Sequence, residues 1–225
     1  NYDKASIFFN VGTTGATAGE KTYYFDDVKF VTGGGTTTAP TLPLDFESTT
    51  ISHSFVDFDG GSTTTISNPY INTFNASITV AKMVKNAGQT WGGSLLQLNE
   101  PIDFSLNKLI RMKVYAPRIG TKVLLKVENS NNPAVNFEKE VTTTVDNVWE
   151  DLTFDFSAID PSISYNKLVF IFDNGTMGDG SANFTYYFDD IRQEAGGNSN
   201  SNLIQMNLPL TFEESNVDYG LIGFD

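Results

Sequence analysis

The sequence predicts an all-β protein, an antiparallel β-sandwich of jelly-roll type, and three features of its 225 residues point there. Apolar residues recur with period two rather than 3.6 almost everywhere. Turn residues interrupt the alternation about every 8–12 positions, the spacing of a sandwich rather than of βαβ units. The chain also repeats itself: TYYFDD stands at 22–27 and again at 185–190, and LPLDFE at 42–47 returns as LPLTFE at 208–213.

These matches are parts of long-period internal repeats. Residues 1–30 align without a gap on 164–193, keeping Tyr2/Tyr165, Lys4/Lys167, Phe9/Phe172 and Gly12/Gly175 identical. The order of the pieces predicts a window cut from an array: 1–30 as the end of a preceding repeat, 31–41 as a linker, 42–193 as one complete β-sandwich repeat, 194–207 as a second linker and 208–225 as the start of a following repeat. GGGTTTAP (33–40) and GGNSNSN (196–202) have the composition of flexible joints. Neither partial repeat carries enough apolar segments for a core of its own, so both are expected to be poorly ordered or completed by a neighbouring chain.

Within the complete repeat the candidate strands run in order 42–48, 53–59, 76–84, 93–99, 109–116, 122–129, 136–145, 149–157, 167–173 and 184–192. In 109–116, parity places Ile110, Met112 and Val114 inward and leaves Arg111, Lys113 and Tyr115 outward. In 122–129, Val123, Leu125 and Val127 point inward, with Lys126 and Glu128 outward. If these two strands are sheet neighbours, one solvent face carries Arg, Lys, Tyr and Glu together. Strand 93–99 turns Leu96 and Leu98 inward and Gln97 outward, with Trp91 on the same parity as Gln97. KLVFIFD (167–173) is apolar on both parities, which marks a strand covered on both faces.

A net charge of −13 and a pI near 4.3 argue against a nucleic-acid or anionic-membrane partner, since both need a basic surface. Zero cysteines remove disulfides and thiol chemistry. No apolar run approaches the ~18 residues needed to span a bilayer, so no membrane insertion is expected.

The doubled TYYFDD raises a question of chemistry. If Ile191 faces the core, Asp189 and Tyr187 share its inward parity. A carboxylate facing a core must be hydrogen-bonded, paired or bound to metal. A hard cation with oxygen ligands, Ca²⁺ above all, is one solution. Glu47 and Asp59 are then the partner ligands, because they recur as Glu213 and Asp225 and the first and last strands of a sandwich commonly adjoin. The other solution is an Asp189 that accepts backbone N–H bonds while Asp190 sits in water. DFDGG (57–61) looks like a calcium loop but lacks the acid at its twelfth position, where Asn68 stands, and DNGTMGDG (173–180) loses both acids in the earlier copy, at Asn10 and Ala16, and reads as a turn.

For catalysis the sequence offers little. The single histidine, His53, stands in an alternating segment with no Ser or acid at a motif spacing, and neither G-x-S-x-G nor a phosphate loop is present. The chain is expected not to be an enzyme.

LPLDFES, KNAGQTWGGSLLQL, KVYAP, KVLLKVEN, the segment from Trp149 to Ser157, KLVFIFDNGT and TYYFDDI together resemble the β-sandwich carbohydrate-binding repeats of large exported and cell-surface proteins of Bacteroidota. The resemblance implies a secreted or cell-surface multimodular protein, a structural Ca²⁺ between the first and last strands, and polysaccharide bound on one sheet face or at the loop edge, a β-glucan or a similar glycan. The residues fit that chemistry. Aromatic faces stack on sugar rings while amide, guanidinium and carboxylate groups read hydroxyls. Trp91, Gln97, Arg111, Tyr115, Lys126 and Glu128 form the expected ligand set, with Tyr70 a loop contributor. Each has a plainer reading beside it: Trp91 as a lid on the core next to Gly92-Gly93, and the charged group as cross-strand ion pairs. A competing class is mechanical, a Ca²⁺-stiffened stalk or adhesin repeat whose contacts are with neighbouring repeats. An exposed aromatic in a concave groove would favour binding, and one buried under a loop would favour the stalk.

Overall fold

A computed structural model of the protein describes residues 15–19, 21–23 and 39–194. The chain divides into two units, Asn1–Thr36 and Thr37–Asp225. In the first, the described residues include one helical turn, α1 (Gly15–Ala18). Most of the first TYYFDD copy, most of the 33–40 joint, the 196–202 joint and the partial repeat 208–225 lie outside the described residues.

In the second unit the alternating segments pair into two five-stranded antiparallel sheets. The first sheet has the spatial order β1 (Phe55–Phe58), β4 (Gly93–Gln97), β9 (Lys167–Phe172), β6 (Lys122–Asn129) and β7 (Asn132–Thr142). The second has β2 (Gly61–Ser67), β3 (Thr79–Lys85), β10 (Thr185–Glu194), β5 (Leu109–Tyr115) and β8 (Trp149–Asp155). Their inner faces meet in one core, in which Ile110, Met112 and Val114 of β5 oppose Val123, Leu125 and Val127 of β6, as the parity of each strand predicts. At its centre Phe188 lies against Phe46, Phe55, Phe170 and Phe172 with ring centroids 4.8–6.1 Å apart. Both parities of β9 are buried: Leu168, Phe170 and Phe172 in the core, and Val169 and Ile171 beside Leu124 on the outer face.

Three departures from the sequence expectation matter for the site. First, β5 and β6 are consecutive but belong to opposite sheets, because the turn 116–121, with Pro117 and a left-handed Gly120 (φ 82°), crosses between them. Arg111 and Tyr115 therefore do not share a face with Lys126 and Glu128. Second, β10 carries a bulge between Asp189 and Arg192, with Asp190 in the left-handed region (φ 48°). An extra residue inverts parity, so Tyr186, Phe188 and Ile191 all face the core while Tyr187 points outward, opposite to its expected side. Third, 42–48 makes a single bridge rather than a strand: Leu44 and Ile191 exchange two backbone hydrogen bonds of 2.9 Å. Phe46 then turns through φ 57° to put its ring into the core.

β2 adds a strand the alternation does not show. GSTTTIS has only one aliphatic residue, but its β-branched threonines suit a polar edge strand. β7 starts earlier than expected, at Asn132-Pro133, which an edge strand tolerates because no neighbour needs the missing N–H.

Candidate functional site

The outer face of the second sheet is where the chain builds a site. The connection from β2 to β3, residues 68–78, does not leave by the shortest path. It folds across that face and is tied down strand by strand. Asn68 closes its base by donating its N–H to Ile78 O (2.7 Å) and its side-chain amide to Ser77 O (2.9 Å). Tyr70 lies flat on Tyr115 of β5, with centroids 3.9 Å apart and planes 4° from parallel, and meets Tyr187 of β10 edge-on at 5.2 Å. At the far edge, Trp149 of β8 donates Nε1–H to Tyr70 O (2.9 Å). Phe74 lies under the Lys113 ammonium at 5.7 Å.

The loop divides the face in two. On one side lies an open pocket of about 510 Å³ lined by Tyr70, Lys82, Tyr115, Asn147, Asn183, Tyr187 and their neighbours Pro117, Ala182 and Thr185. The lining combines aromatic surface with hydroxyl, amide and ammonium groups and contains no carboxylate. Burial raises the phenol pKa of Tyr115, and the neighbouring Tyr70 raises it further; Tyr187 is raised for the same two reasons, so both hydroxyls stay protonated donors at neutral pH. The far wall is fixed by Arg118, which binds the Asp173 carboxylate and donates to Tyr186 Oη (3.2 Å), with its guanidinium 4.9 Å from the Phe184 ring centroid.

The other side is filled. Arg111 bridges Asp151 (2.7 Å) and Glu194 (3.3 Å), Arg192 bridges Asp151 (2.6 Å) and Asp190 (2.9 Å), and Lys113 pairs with Asp190 (3.2 Å). Beneath the loop, Asp189 is fully buried. Its Oδ1 accepts the Asp190 N–H (2.7 Å), while its Oδ2 has no hydrogen-bond partner. Burial pushes its pKa up to about 6, against the opposing pull of Ser77, Asn75 and the Asp190 N–H. Glu47 reaches the same end of β3, where Oε1 accepts the Thr79 N–H (2.6 Å).

Of the expected ligand set, then, only Tyr115 lines the pocket, joined by the loop contributor Tyr70. Arg111 lies on the same face but is held in the ion-pair network. Gln97, Lys126 and Glu128 lie on the first sheet. Gln97 spends its amide on Leu98 O and Asn166 O, and Lys126 and Lys167 both bind Glu128. Trp91 is half exposed (51%) in the turn before β4, outside the pocket, with Nε1–H donated to Asp59 Oδ2 (2.9 Å). The sequence reading missed Tyr187, because the bulge is invisible to parity. It also missed Lys82, Asn147 and Asn183, which topology alone brings together.

The expected cation ligands separate likewise. Asp59 stands in the β1–β2 turn with Gly60, both at positive φ, beside the Lys85 end of β3. Glu47 and Asp189 stand at the Thr79 end, about 20 Å away at the rise of an extended strand. Asp59 is thus not part of their set. No group of three or more His, Cys, Asp or Glu converges among the described residues. A buried carboxylate with an unpartnered oxygen, with Glu47 at the same end of β3, still fits a hard cation that completes its shell with carbonyl or amide oxygens.

The Lys85 end has its own lock. Lys85, 1% exposed, donates Nζ–H to the carbonyls of Thr90 (2.7 Å), Phe172 (2.9 Å) and Asp173 (2.9 Å), joining the β3–β4 connection to the end of β9 around one buried ammonium. Burial lowers its pKa to about 8 while Asp173 raises it.

No protein-family model matches the chain, and no curated protein matches it. Solved structures do. An exo-β-agarase superposes with a TM-score of 0.53 at 12% identity, over 71% of this chain and 26% of that longer one. The family 11 carbohydrate-binding module of the cellulosomal cellulase Lic26A-Cel5E of Clostridium thermocellum superposes with a TM-score of 0.48 at 12% identity, over 71% of this chain and 96% of that one. The CBM22-2 xylan-binding domain from Paenibacillus barcinonensis Xyn10C does so with a TM-score of 0.42 at 15% identity, over 68% and 98%. What the chain shares with the agarase is the fold, an antiparallel two-sheet β-sandwich.

Proposed function

We propose that this chain is a non-catalytic carbohydrate-binding module of a multimodular secreted or cell-surface protein, and that it takes a polysaccharide, a β-glucan or a similar glycan, in the tyrosine-lined pocket of the second sheet. The observation that carries the reading is the pocket itself. Three tyrosines on three different elements converge beside asparagine amides and a threonine, a mixture of apolar ring surface and convergent polar groups suited to sugar rings. Its volume falls in the ~300–1,000 Å³ range of small-ligand sites. The lining lacks the carboxylate pair with which most glycosidases work, so the groups present suit holding a glycosidic chain rather than cleaving it.

The 68–78 loop walls the pocket at its tyrosine end, which favours a short stretch or an end of a glycan over a long chain threaded along the sheet. A structural Ca²⁺ belongs to the same proposal, held by Asp189 and Glu47 between the 44–47 segment and β10. Its charge would offset that of the buried carboxylate and brace the loop that forms the pocket wall.

The test is calorimetric titration of the chain with β-1,3-glucan, xylan and alginate, with and without EDTA. Saturable heat that Tyr187→Ala abolishes supports the module. Silence with every glycan, together with a large EDTA-induced fall in Tm, would replace it with the stiffened stalk repeat.

A further inference from the structure

The pocket has one charged residue, Lys82, and no acid in its lining, although the chain as a whole has 27 acidic and 14 basic residues. Every other basic side chain between residues 39 and 194 has a partner. Most hold a carboxylate, Lys85 and Lys108 hold backbone carbonyls, and Lys139 lies against the Phe137 ring. Lys82 alone among them has no hydrogen bond, ion pair or ring contact. It stands opposite Tyr187 in the β3–β10 register and opposite Thr64 on β2, so neither cross-strand neighbour supplies a negative charge.

On a surface this acidic, a lysine left unpaired within an acid-free pocket is an unfilled half of an ion pair. An anionic group adds the Coulomb attraction of opposite charges to the hydrogen bond it accepts from the ammonium, which a neutral sugar hydroxyl does not, so the missing partner is better met by an anion. We propose that the glycan taken by this pocket is an acidic one, and that Lys82 pairs with its carboxylate or sulfate ester while the tyrosines, Asn147 and Asn183 take the ring and its hydroxyls. This rests on the pocket being the glycan site. It goes further in naming the class of sugar, putting an acidic glycan in place of a neutral β-glucan, with the carboxylate of a uronic acid and a sulfate ester as two sources of the same chemistry.

Calorimetric titration of the full chain at low and high salt tests it with three groups of oligosaccharides of matched length. One group carries carboxylates (oligomannuronate, oligogalacturonate and fragments of glucuronoxylan), one carries sulfate esters (carrageenan and sulfated fucan fragments), and one is neutral (β-1,3-glucan and xylan fragments). The expected result is that one of the acidic groups binds at least about tenfold tighter than the neutral one, weakens with salt, and loses about tenfold in Lys82→Met but not in Lys82→Arg. Which acidic group binds tells carboxylate from sulfate. Neutral fragments that bind as tightly as acidic ones, unaffected by Lys82→Met but lost in Tyr187→Ala, would overturn the acidic assignment and leave the pocket a glycan site. Silence from all three groups would overturn both.

Discussion

Replacing Asp189 by Asn removes a charge that the fold buries without a partner for Oδ2. Burial raises the Asp189 pKa from 3.8 to about 6. At 1.36 kcal/mol per pKa unit, an ionised Asp189 in the metal-free protein costs about 3 kcal/mol. The sign follows from proton linkage. With the folded pKa above the unfolded one, the folded state holds more protons between them, so this group's contribution is fully present below about pH 3.8 and is lost as pH rises through about 6. In EDTA, Asp189→Asn is therefore expected to be more stable than the parent by up to about 3 kcal/mol at pH 7.5 and nearly equal to it at pH 4. With Ca²⁺ the order narrows or reverses, because only the parent offers the carboxylate and gains from mass action. Urea unfolding at the two pH values, with EDTA or Ca²⁺, reads each arm. Asp189→Asn no more stable than the parent in EDTA at pH 7.5 would refute the claim that burial outweighs the hydrogen-bonding groups around Asp189. Equal stabilisation of both proteins by Ca²⁺ would place the ion elsewhere.

Other outcomes follow from the same geometry. Tyr187→Ala removes the outward aromatic of β10 and is expected to weaken glycan binding about 10- to 100-fold, whereas Trp91→Ala, outside the pocket, changes it by less than about twofold; titration of both variants measures the contrast. Lys85→Met leaves the buried carbonyls of Phe172 and Asp173, and the half-buried one of Thr90, without their donor and is expected to cost about 3–5 kcal/mol in urea unfolding, and a loss under about 1 kcal/mol would show that the lock carries little. Because the 68–78 loop walls one end of the pocket, binding to oligosaccharides of increasing length should stay at one protein per chain, and stoichiometry that grows with length would show an open groove.

The alternation that marks a two-sheet sandwich is legible because each strand needs one apolar face, so the inward sets of β5 and β6 could be named residue by residue. What period two cannot carry is which strands become neighbours. The connections decide that, and the 116–121 crossing is why Arg111 and Tyr115 part from Lys126 and Glu128. Nor can it carry a bulge, since one inserted residue at Asp190 puts Tyr187 on the opposite side from Ile191 while every local apolar count is unchanged. Asp189 is buried as expected, but under the 68–78 loop rather than in the core. The loop itself reads as a run of turn residues up to Asn75, NPYINTFN, and nothing local announces that Tyr70 will cross the sheet to lie on Tyr115.

The most direct measurement is amide chemical-shift mapping on the isotope-labelled full chain, titrated with whichever glycan gives saturable heat. The tyrosine-pocket account predicts that the largest shifts cluster at Tyr70, Lys82, Tyr115, Asn147, Asn183 and Tyr187, with 88–93 and 126–128 unmoved. Shifts centred on the Trp91 turn, or on Lys126 and Glu128, would move the site to the first sheet or its loops and contradict it.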